Sequence, residues 1–290
     1  MANLDFSHKY AVTDDDDEIN ELGESINMMS DKLETTINQL RSTNIELERD
    51  IEKKSKIDEM RKSFISDVSH ELKTPIALIQ GYSEGLLENV NDDPESRKFY
   101  AEVILDETNK MDKMVRQLIE LTKLEYEKRE FNNRIFNIVE LEKEIVRTSK
   151  VMIDEKQTEV IFETPDKIDV LADDMYLSQI ITNYLTNAIK HVKDVDGEKY
   201  IKITNVVLQD KQKAKVTVFN TGDNISEENL NRIWNRFFKA DEARNRDDGG
   251  SGIGLSIVRA IMNNYGNDYG VKNKPKGVEF YFEVDLQSGQ

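Results

Sequence analysis

Ser69-His70-Glu71-Leu72-Lys73-Thr74-Pro75 is the stretch that best indicates how the first half of the chain is organised. The apolar residues around it recur at the three- and four-residue spacing of an amphipathic helix, namely Ile65, Val68, Leu72, Ile76 and Ile79. Each helical residue turns by about 100°, so His70 lies on the side away from Val68 and faces solvent. Pro75 lacks a backbone N–H, and we expect it to kink the helix one turn beyond His70.

The side chains of this stretch could support nucleophilic chemistry. His70 is one of only three histidines, and Thr74 follows it by four residues on the same helical face. A carboxylate such as Glu71 can hold an imidazole in one tautomer, which leaves the other ring nitrogen free to attack. The alternative is an ordinary solvated helix face, and the stretch alone does not exclude it.

Composition excludes several classes of function. The 290 residues include 40 Lys and Arg against 57 Asp and Glu, a net charge of −17, which argues against nucleic-acid binding and against a basic membrane-contacting patch. No cysteine is present, so disulfides and thiolate metal sites are excluded. Because no apolar run approaches about 20 residues and no signal peptide is evident, we expect a cytoplasmic fragment without membrane contact.

A heptad-like seam precedes the histidine stretch. Its apolar positions are Ile19, Leu22, Ile26, Met29, Leu33, Ile37, Leu40, Leu47 and Ile51, with two successive steps of four that form a stutter. Asn44 falls on the seam, where a polar residue can fix register and oligomeric state. We interpret the seam as a parallel dimeric coiled coil; a plain amphipathic helix on a globular surface is the alternative.

A second long helix is predicted after a short turn. Asp93 can cap it and Pro94 suits its first position. One face carries Phe99, Val103, Met111, Met114, Leu118 and Leu121. Two amphipathic helices joined by a short loop form a hairpin that cannot bury both apolar stripes alone. The pattern therefore predicts that two hairpins pair in a dimeric four-helix bundle.

The pattern changes near Phe131 to short alternating strands and helices. The predicted strands are Glu159–Phe162, Ile168–Leu171, Tyr200–Leu208, Ala214–Asn220 and Val278–Val284. The predicted helices are Met175–Val192, most of Ile225–Phe238, and Ser256–Tyr265. This arrangement indicates an α+β domain with a mixed or antiparallel sheet.

Three polar segments of this second half could bind a phosphorylated ligand. Asn183, Asn187 and Lys190 share one helical face, and amide oxygens suit Mg²⁺. Asn220-Thr221-Gly222-Asp223-Asn224-Ile225 follows a predicted strand and could present a hydrogen-bonding edge to a base. Glycines near residues 249–254 precede a helix whose free N–H groups could hold an anion, after an acidic loop that resembles a mobile lid. Each segment alone is weak: surface asparagines, an ordinary turn and a common glycine loop are the alternatives.

Taken together and in order, these segments resemble an orthodox two-component sensor histidine kinase. The His70 stretch is similar to the H box, Asn183–Lys190 to the N box, Asn220–Ile225 to the G1 box, Ile233–Phe238 to the F box and Gly250–Gly254 to the G2 box. Residues 18–37 resemble the second helix of a HAMP module. In its general sequence character, the chain most resembles vancomycin-resistance-type sensor kinases.

The resemblance implies an all-α hairpin forming a dimeric four-helix bundle, followed by an α+β two-layer ATP-binding sandwich of the Bergerat (GHKL) type, related to gyrase and Hsp90. The implied domains are a partial HAMP-like segment (1–40), a coiled-coil signalling helix (41–60), a dimerisation and histidine phosphotransfer domain (61–128) and a catalytic ATP-binding domain (132–286). It also implies that the chain is the cytoplasmic part of a membrane-anchored receptor kinase that autophosphorylates with ATP and Mg²⁺ and transfers the phosphoryl group to the receiver domain of a response regulator.

The resemblance implies a role for each matching residue. His70 is the phosphoacceptor and Glu71 the base that orients it. From the position of Thr74, one turn from His70 on the same face, we further expect its hydroxyl to take part in dephosphorylating the regulator. Asn187 is the magnesium ligand, and Asn183 supports the metal or its waters. The remaining nucleotide-binding positions are Lys190, Asn220, Gly222, Phe238, Lys239, Gly250, Gly252, Ile253, Gly254 and Leu255.

Two departures from the family pattern stand in the G1 box. Asn220 replaces the usual aspartate that accepts from the adenine amine, and Asn224 replaces a frequent glycine. An amide oxygen still accepts a hydrogen bond, but without the charge. Three other functions remain open from the sequence: a phosphatase-dominant protein, a scaffold dimer with a decayed nucleotide site, and an ATPase that transfers phosphate to water.

Overall fold

The computed structural model describes residues 9–11, 18–88, 90, 93–126, 131–239 and 251–287. The chain divides into two compact units, one up to Asp67 and one from Val68 onward. In the described part of the chain, no helix combines the length and apolar character needed to cross a membrane.

Helix α1 (Glu18–Leu87) contains both the heptad seam and the histidine stretch, and it continues past Pro75 without ending. The predicted kink at Pro75 stays a prediction. In the first unit the seam is open to solvent, with exposed side chains at Ile19, Leu22, Ile26, Met29, Leu33, Leu40, Leu47 and Ile51. A row of large exposed apolar side chains is unfavourable in water. The exposed apolar seam is therefore typical of a surface that packs against a partner.

Helix α2 (Pro94–Tyr126) begins where the sequence predicts. The Asp93 carboxylate accepts from the Ser96 amide at 2.8 Å. Hydrogen bonding from the Ser96 side chain, and to a smaller extent from its amide, lowers the pKa of Asp93. The rings of Tyr82 and Tyr100 meet edge to face at 5.2 Å, and Phe99 lies 6.0 Å from Tyr82. These aromatic contacts hold the ends of α1 and α2 together in the predicted hairpin.

The second half forms a sheet covered by helices. Strands β1 (Arg134–Asn137) and β3 (Asp169–Ala172) make a two-stranded antiparallel sheet. The main sheet has the order β2 (Glu159–Glu163), β4 (Tyr200–Leu208), β5 (Lys213–Thr221), β7 (Gly277–Asp285) and β6 (Tyr269–Lys274). The β2–β4 pair is parallel and the others are antiparallel, which confirms the predicted mixed sheet.

The helical layer consists of α3 (Ile138–Thr148), α4 (Lys150–Glu155), α5 (Asp174–His191), α6 (Glu227–Leu230) and α7 (Gly254–Tyr265). Asn137 and Asp173 cap α3 and α5 through their side-chain oxygens. Alternate residues of β4 and β5 point inward and are buried against these helices, as in Ile201, Ile203, Val216 and Val218. A helical hairpin followed by this two-layer sandwich is the fold class that the sequence predicts.

One predicted element is wrong in its extent. Ile225–Phe238 is not mostly helical: it contains only α6 and a 3₁₀ turn over Arg232–Trp234. Beyond the turn, Asn235 is extended and Phe237 has a φ of 59°, a conformation that stops a helix. Two of the apolar residues that suggested a helix, Ile233 and Trp234, are buried in the core from the 3₁₀ turn instead. The short elements β1, α3, α4 and β6 were not predicted.

A carboxyl group is buried between α3 and β4. Glu142 is fully buried, and its Oε2 accepts from Asn205 Nδ2 at 2.8 Å. Within the described residues, Glu142 Oε1 and Asn205 Oδ1 have no hydrogen-bond partner. Burial raises the pKa of Glu142 to about 7, against the smaller opposing effect of the Asn205 hydrogen bond. A neutral carboxylic acid supplies a donor to a pair that otherwise has two unsatisfied acceptors.

We predict that Glu142→Gln makes the stability of this α+β domain less sensitive to rising pH. The raised pKa of Glu142 in the folded state means that its contribution to stability is present below its ordinary pKa of 4.5 and is lost as pH rises through about 7. Glutamine keeps the shape and cannot ionise, so the variant should match the wild type at pH 5. Above pH 7 it should be more stable, by up to roughly 3 kcal/mol.

Urea unfolding at pH 5 and pH 8 measures this effect through the fluorescence of the single tryptophan, Trp234, which is buried in this domain. Glu144→Gln is the matched control, because Glu144 lies on the same helix with its carboxylate exposed and 3.7 Å from Arg147. The same loss of stability with pH in wild type and Glu142→Gln would show that Glu142 does not ionise in this range.

Candidate functional site

The phosphoacceptor candidate lies on an accessible helical face. His70 and Thr74 are both exposed on α1, as the helical spacing predicts. The Glu71 carboxylate is turned towards the second half of the chain, where its Oε2 lies 2.9 Å from Lys239 Nζ. Glu71 and Lys239 are 30% and 28% exposed, so water does not fully solvate this ion pair. The contact joins the histidine stretch to the segment that resembles the F box.

The asparagine-bearing face of α5 is positioned by the opposite face of the same helix. Tyr184 is fully buried, its ring lies 5.2 Å from that of Phe280, and its hydroxyl donates to the Tyr281 carbonyl at 3.1 Å. Burial raises the pKa of Tyr184 well above its ordinary value, so the hydroxyl remains a donor. With this side anchored, the helical period leaves three half-buried polar side chains on the other face: Asn183, Asn187 and Lys190.

The G1-like segment begins at the end of strand β5. Asn220 is only 3% exposed, and its Nδ2 donates to the Thr221 carbonyl at 3.1 Å. The Thr221 hydroxyl donates to the Lys193 carbonyl at 2.8 Å, which joins this turn to the chain following α5. One N–H of the Asn220 amide is therefore engaged within the protein, and its Oδ1 is the atom that could accept from a ligand.

Two glycines allow the backbone to pass closely at this turn. Gly222 has a φ of 151°, and a Cβ there would lie 2.6 Å from the His191 carbonyl oxygen. A Cβ at Gly277, on the neighbouring strand β7, would lie 1.9 Å from the Asn220 carbonyl oxygen. A side chain at Gly222 would push against the backbone at the end of α5, and one at Gly277 would push against the backbone of Asn220 itself.

The F-box-like and G2-like segments meet through their backbones. The Phe237 amide donates to the Gly252 carbonyl at 2.9 Å. Gly252 has a φ of 67°, and a Cβ there would lie 2.8 Å from the Phe237 backbone. Phe238 is half-buried, with the Arg232 guanidinium 5.0 Å from its ring. Gly250 lies outside the described residues, as do residues 240–250 of the lid-like loop predicted over Lys239–Ser251.

Helix α7 brings its first turn to the asparagine face of α5. Ile253 is fully buried, whereas Gly254 and Leu255 are half-buried. A Cβ at Gly254 would lie 2.6 Å from Asn183 Oδ1. The first N–H groups of a helix have no partner within it and favour an anion. The structure therefore places a potential phosphate site beside the amide oxygens predicted to bind a metal.

These residues fit a nucleotide with a hard divalent cation. Among the described residues, no three His, Cys, Asp or Glu side chains are grouped as a metal site. A metal here would depend on the amide oxygens of Asn183 and Asn187 and on oxygens of the ligand, a pattern that suits Mg²⁺. The missing side chains at Gly222 and Gly254 allow the turn after β5 and the first turn of α7 to lie against α5.

The C-terminal half of α2 packs on this domain. Met114, Leu118, Leu121 and Leu124 are buried there. Polar contacts flank this strip: Gln179 Nε2 donates to Glu120 Oε2 at 2.8 Å, Ser251 Oγ donates to Gln117 Oε1 at 2.8 Å, Asn264 Nδ2 donates to the Leu124 carbonyl at 2.8 Å, and Arg236 pairs with Glu125. Sequence reasoning missed these contacts, because their partners lie far apart in the chain.

Two family descriptions match the chain. The His Kinase A (phospho-acceptor) domain covers residues 60–127, and the histidine kinase-, DNA gyrase B- and HSP90-like ATPase covers residues 172–288. The first includes His70 and the second includes all three asparagine and glycine segments of the site. These two domains, in this order, are the phospho-acceptor and ATPase domains of a two-component sensor histidine kinase.

Known proteins resemble the chain over most of its length. Sensor protein SrrB from Staphylococcus aureus strain MRSA252 is 28% identical over 237 residues, which are 81% of this chain and 40% of SrrB. The chain thus spans well under half the length of that relative. Histidine kinase ThkA, solved in complex with response regulator protein TrrA, is 28% identical with a TM-score of 0.61, covering 78% of this chain and 61% of ThkA.

Full-length ShkA, solved in complex with AMPPNP, has a TM-score of 0.58 at 23% identity. The match covers 76% of this chain and 44% of ShkA. At this identity the likeness supports the fold alone.

We predict that Gly254→Ala weakens nucleotide binding without unfolding the domain. The added methyl would lie 2.6 Å from Asn183 Oδ1, so this half-buried amide must move away from the proposed metal position. Losing one charge-assisted contact corresponds to roughly a tenfold weaker affinity. Calorimetric titration with an ATP analogue and Mg²⁺ measures the change.

Gly81→Ala is the matched control for this substitution. Gly81 is also helical, and a Cβ there meets nothing within 4 Å. Both alanines should favour the helix slightly, so any effect on affinity that is specific to Gly254 must come from its contact with Asn183. Unchanged affinity in Gly254→Ala would show that the Asn183 side chain does not contribute to the site.

Proposed function

We propose that this chain transfers the γ-phosphoryl group of ATP to His70 and then to an aspartate of a response regulator's receiver domain. The observation that carries the proposal is the 2.9 Å contact between Glu71 and Lys239. It places the neighbour of His70 within reach of a side chain of the ATP-binding domain. The exposure of His70 on α1 leaves it accessible to a nucleotide and to a protein partner in turn.

Each part of the nucleotide has a residue suited to it. Asn220 Oδ1 can accept from the adenine amine at the end of β5, since its Nδ2 is engaged with Thr221. The free N–H groups at the start of α7, with Lys190 and Lys239, can hold the phosphates. The AMPPNP bound to ShkA, a protein of the same fold, is consistent with this assignment.

Mg²⁺ would be held by Asn187, with Asn183 supporting it or its waters. When bound, the ion neutralises charge on the phosphate oxygens and orients them. Lys190 lies one turn from Asn187 on the same half-buried face. This arrangement concentrates positive charge at one place on a chain with a net charge of −17, which otherwise repels a nucleotide.

The transfer itself requires little covalent chemistry from the protein. Glu71 orients the ring by accepting the N–H of one imidazole nitrogen, and the other nitrogen attacks the γ-phosphorus. The new N–P bond forms as the bond from the γ-phosphorus to the bridging oxygen breaks, and ADP leaves with the electron pair. Catalysis of this kind rests on positioning and charge stabilisation.

The exposed face of α1 that carries His70 also suits a response regulator as partner and a phosphatase activity towards it. ThkA was solved together with a response regulator, which supports a receiver domain as the partner of this chain. Thr74 lies one turn beyond His70 and is also exposed. Its hydroxyl can position a water molecule against the phosphoaspartate of a docked regulator, which gives the chain a phosphatase activity.

A pair of variants separates the two activities. His70→Gln should abolish acid-labile labelling by radioactive ATP while keeping nucleotide affinity, because only the acceptor is removed. Thr74→Ala should label normally and lose dephosphorylation of the phosphorylated regulator. Persistent labelling of His70→Gln would refute the acceptor, and equal loss of both activities in Thr74→Ala would refute its separate role. A wild type that binds ATP without labelling would favour a phosphatase-dominant or decayed scaffold protein.

We propose that the working unit is a homodimer. The match to the His Kinase A (phospho-acceptor) domain over 60–127 supports a dimer. The exposed seam on α1 supports it as well, since a second copy of the chain would cover the seam residues. Sedimentation at micromolar concentration should give twice the chain mass of 33.6 kDa. Substituting Leu33 and Leu40 by lysine should weaken the dimer; a wild-type monomer would contradict the arrangement.

The segments before the hairpin complete the proposal. We assign residues 1–40 to a HAMP-like segment, 41–60 to a signalling coiled coil, 61–128 to dimerisation and phosphotransfer, and 132–286 to ATP binding. In this arrangement a signal from a membrane-anchored sensor domain passes along α1 to His70. Mass spectrometry of the full-length protein purified from membrane and cytosolic fractions would test the anchoring, and recovery in the cytosol alone would contradict it.

A further inference from the structure

Two ion pairs between the hairpin and the ATP-binding domain use neighbouring cations. Arg236 pairs with Glu125 of α2, and Lys239 pairs with Glu71 of α1 at 2.9 Å. Arg236 and Lys239 are three residues apart, directly after the buried Trp234. One short segment therefore holds both helices of the hairpin. The side chains of Arg236 and Glu125 are 16% and 18% exposed, so this pair is well shielded from water.

The Lys239–Glu71 pair engages one group from each side of the proposed reaction. Glu71 is the carboxylate assigned to orient the His70 ring, and an ammonium bound to its Oε2 competes for that acceptor. Lys239 is assigned to the nucleotide phosphates, and it is instead directed to a carboxylate on the hairpin. The Lys239–Glu71 contact thus occupies both the carboxylate assigned to orient His70 and the ammonium assigned to the nucleotide phosphates.

The remaining contacts keep this arrangement in place. On α2, polar contacts to the ATP-binding domain are made at Gln117, Glu120 and Leu124, which are three and four residues apart, and at Glu125, which follows Leu124 directly. The buried strip between them includes Leu121. None of these α2 residues belongs to the proposed nucleotide site, so the face can hold the domain without taking part in the chemistry.

We propose that the Lys239–Glu71 ion pair is an autoinhibitory contact, maintained by the Arg236–Glu125 pair and opened when nucleotide phosphates compete for Lys239. This inference rests on the proposed function, since it uses the roles assigned there to Glu71 and Lys239. A polyphosphate carries several negative charges and outcompetes a single carboxylate for one ammonium. A protein held mainly in the closed form binds nucleotide with an affinity lowered by the fraction that is open.

Glu125→Gln tests the contact without altering the proposed reaction centre. Removing the charge should loosen the Arg236 pairing and increase the open fraction. The initial rate of His70 labelling should rise by roughly fivefold, and the affinity for AMPPNP should rise with it. Asp112→Asn is the matched control, because Asp112 is an exposed carboxylate on the same helix whose 2.8 Å partner, Arg116, also lies on α2. It should leave both quantities unchanged.

A charge exchange distinguishes a specific ion pair from general disturbance of the interface. Glu125→Arg alone should activate at least as strongly as Glu125→Gln, and Glu125→Arg with Arg236→Glu should return both quantities towards the wild-type values. Should the double variant fail to fold, Arg236→Gln alone must reproduce the Glu125→Gln result. A lowered or unchanged rate and affinity in Glu125→Gln overturns the proposal and makes the contact a productive or neutral one.

The labelling of His70 and the affinity for AMPPNP together distinguish a failure of this inference from a failure of the proposed function. Absence of His70 labelling in every protein, wild type included, refutes the kinase assignment. AMPPNP affinity still decides the autoinhibitory contact in that case: tighter binding in Glu125→Gln than in wild type and Asp112→Asn supports it, and equal binding overturns it.

Discussion

The anchoring of α5 on the central sheet is the constraint on which the rest of the ATP-binding domain depends. Tyr184 is buried without exposure against Phe280, and its hydroxyl donates to a backbone carbonyl of β7. Burying an aromatic ring of this size contributes roughly 2–3 kcal/mol, and the hydrogen bond removes the penalty of enclosing the hydroxyl. Because a helix is rigid at this length, fixing one face also fixes the direction of the other. The half-buried positions of Asn183 and Asn187 are consequences of that packing.

The same logic explains how separate segments converge on one site. The turn after β5 approaches the end of α5 because Gly222 allows its backbone to lie against the His191 carbonyl. The first turn of α7 approaches α5 from another direction because Gly254 has no side chain to meet Asn183. At both places the absence of a Cβ brings a polar backbone edge to the same side of α5.

Local patterns predicted much of this arrangement, and long-range pairs account for what they missed. Helical periodicity placed His70 on an exposed face of α1 and grouped Asn183, Asn187 and Lys190 on one face of α5, because each prediction depends on neighbours within two turns. The helix predicted over Ile225–Phe238 was wrong because its apolar residues serve the core from a 3₁₀ turn and extended chain, which share no period with an α-helix. Lys239 and Glu71 are 168 residues apart, and Glu142 and Asn205 are 63 apart. No local pattern relates such residues, since only the completed fold brings them together.

The two glutamates of these pairs show how burial decides the role of a charge. Glu142 lies in the core with a single amide donor, and burial raises its pKa to about 7, so its environment favours the neutral acid. Glu71 is about a third exposed and lies against the ammonium of Lys239. An ion pair at this exposure is worth modest energy, because water still competes for both partners. A reversible contact requires an ion pair of modest stability. A fully buried pair would resist opening, and a fully exposed pair would stabilise the contact too little. The position of Glu71 between these limits, beside His70, is therefore the feature that suits it to an exchange between a closed form and a reacting one.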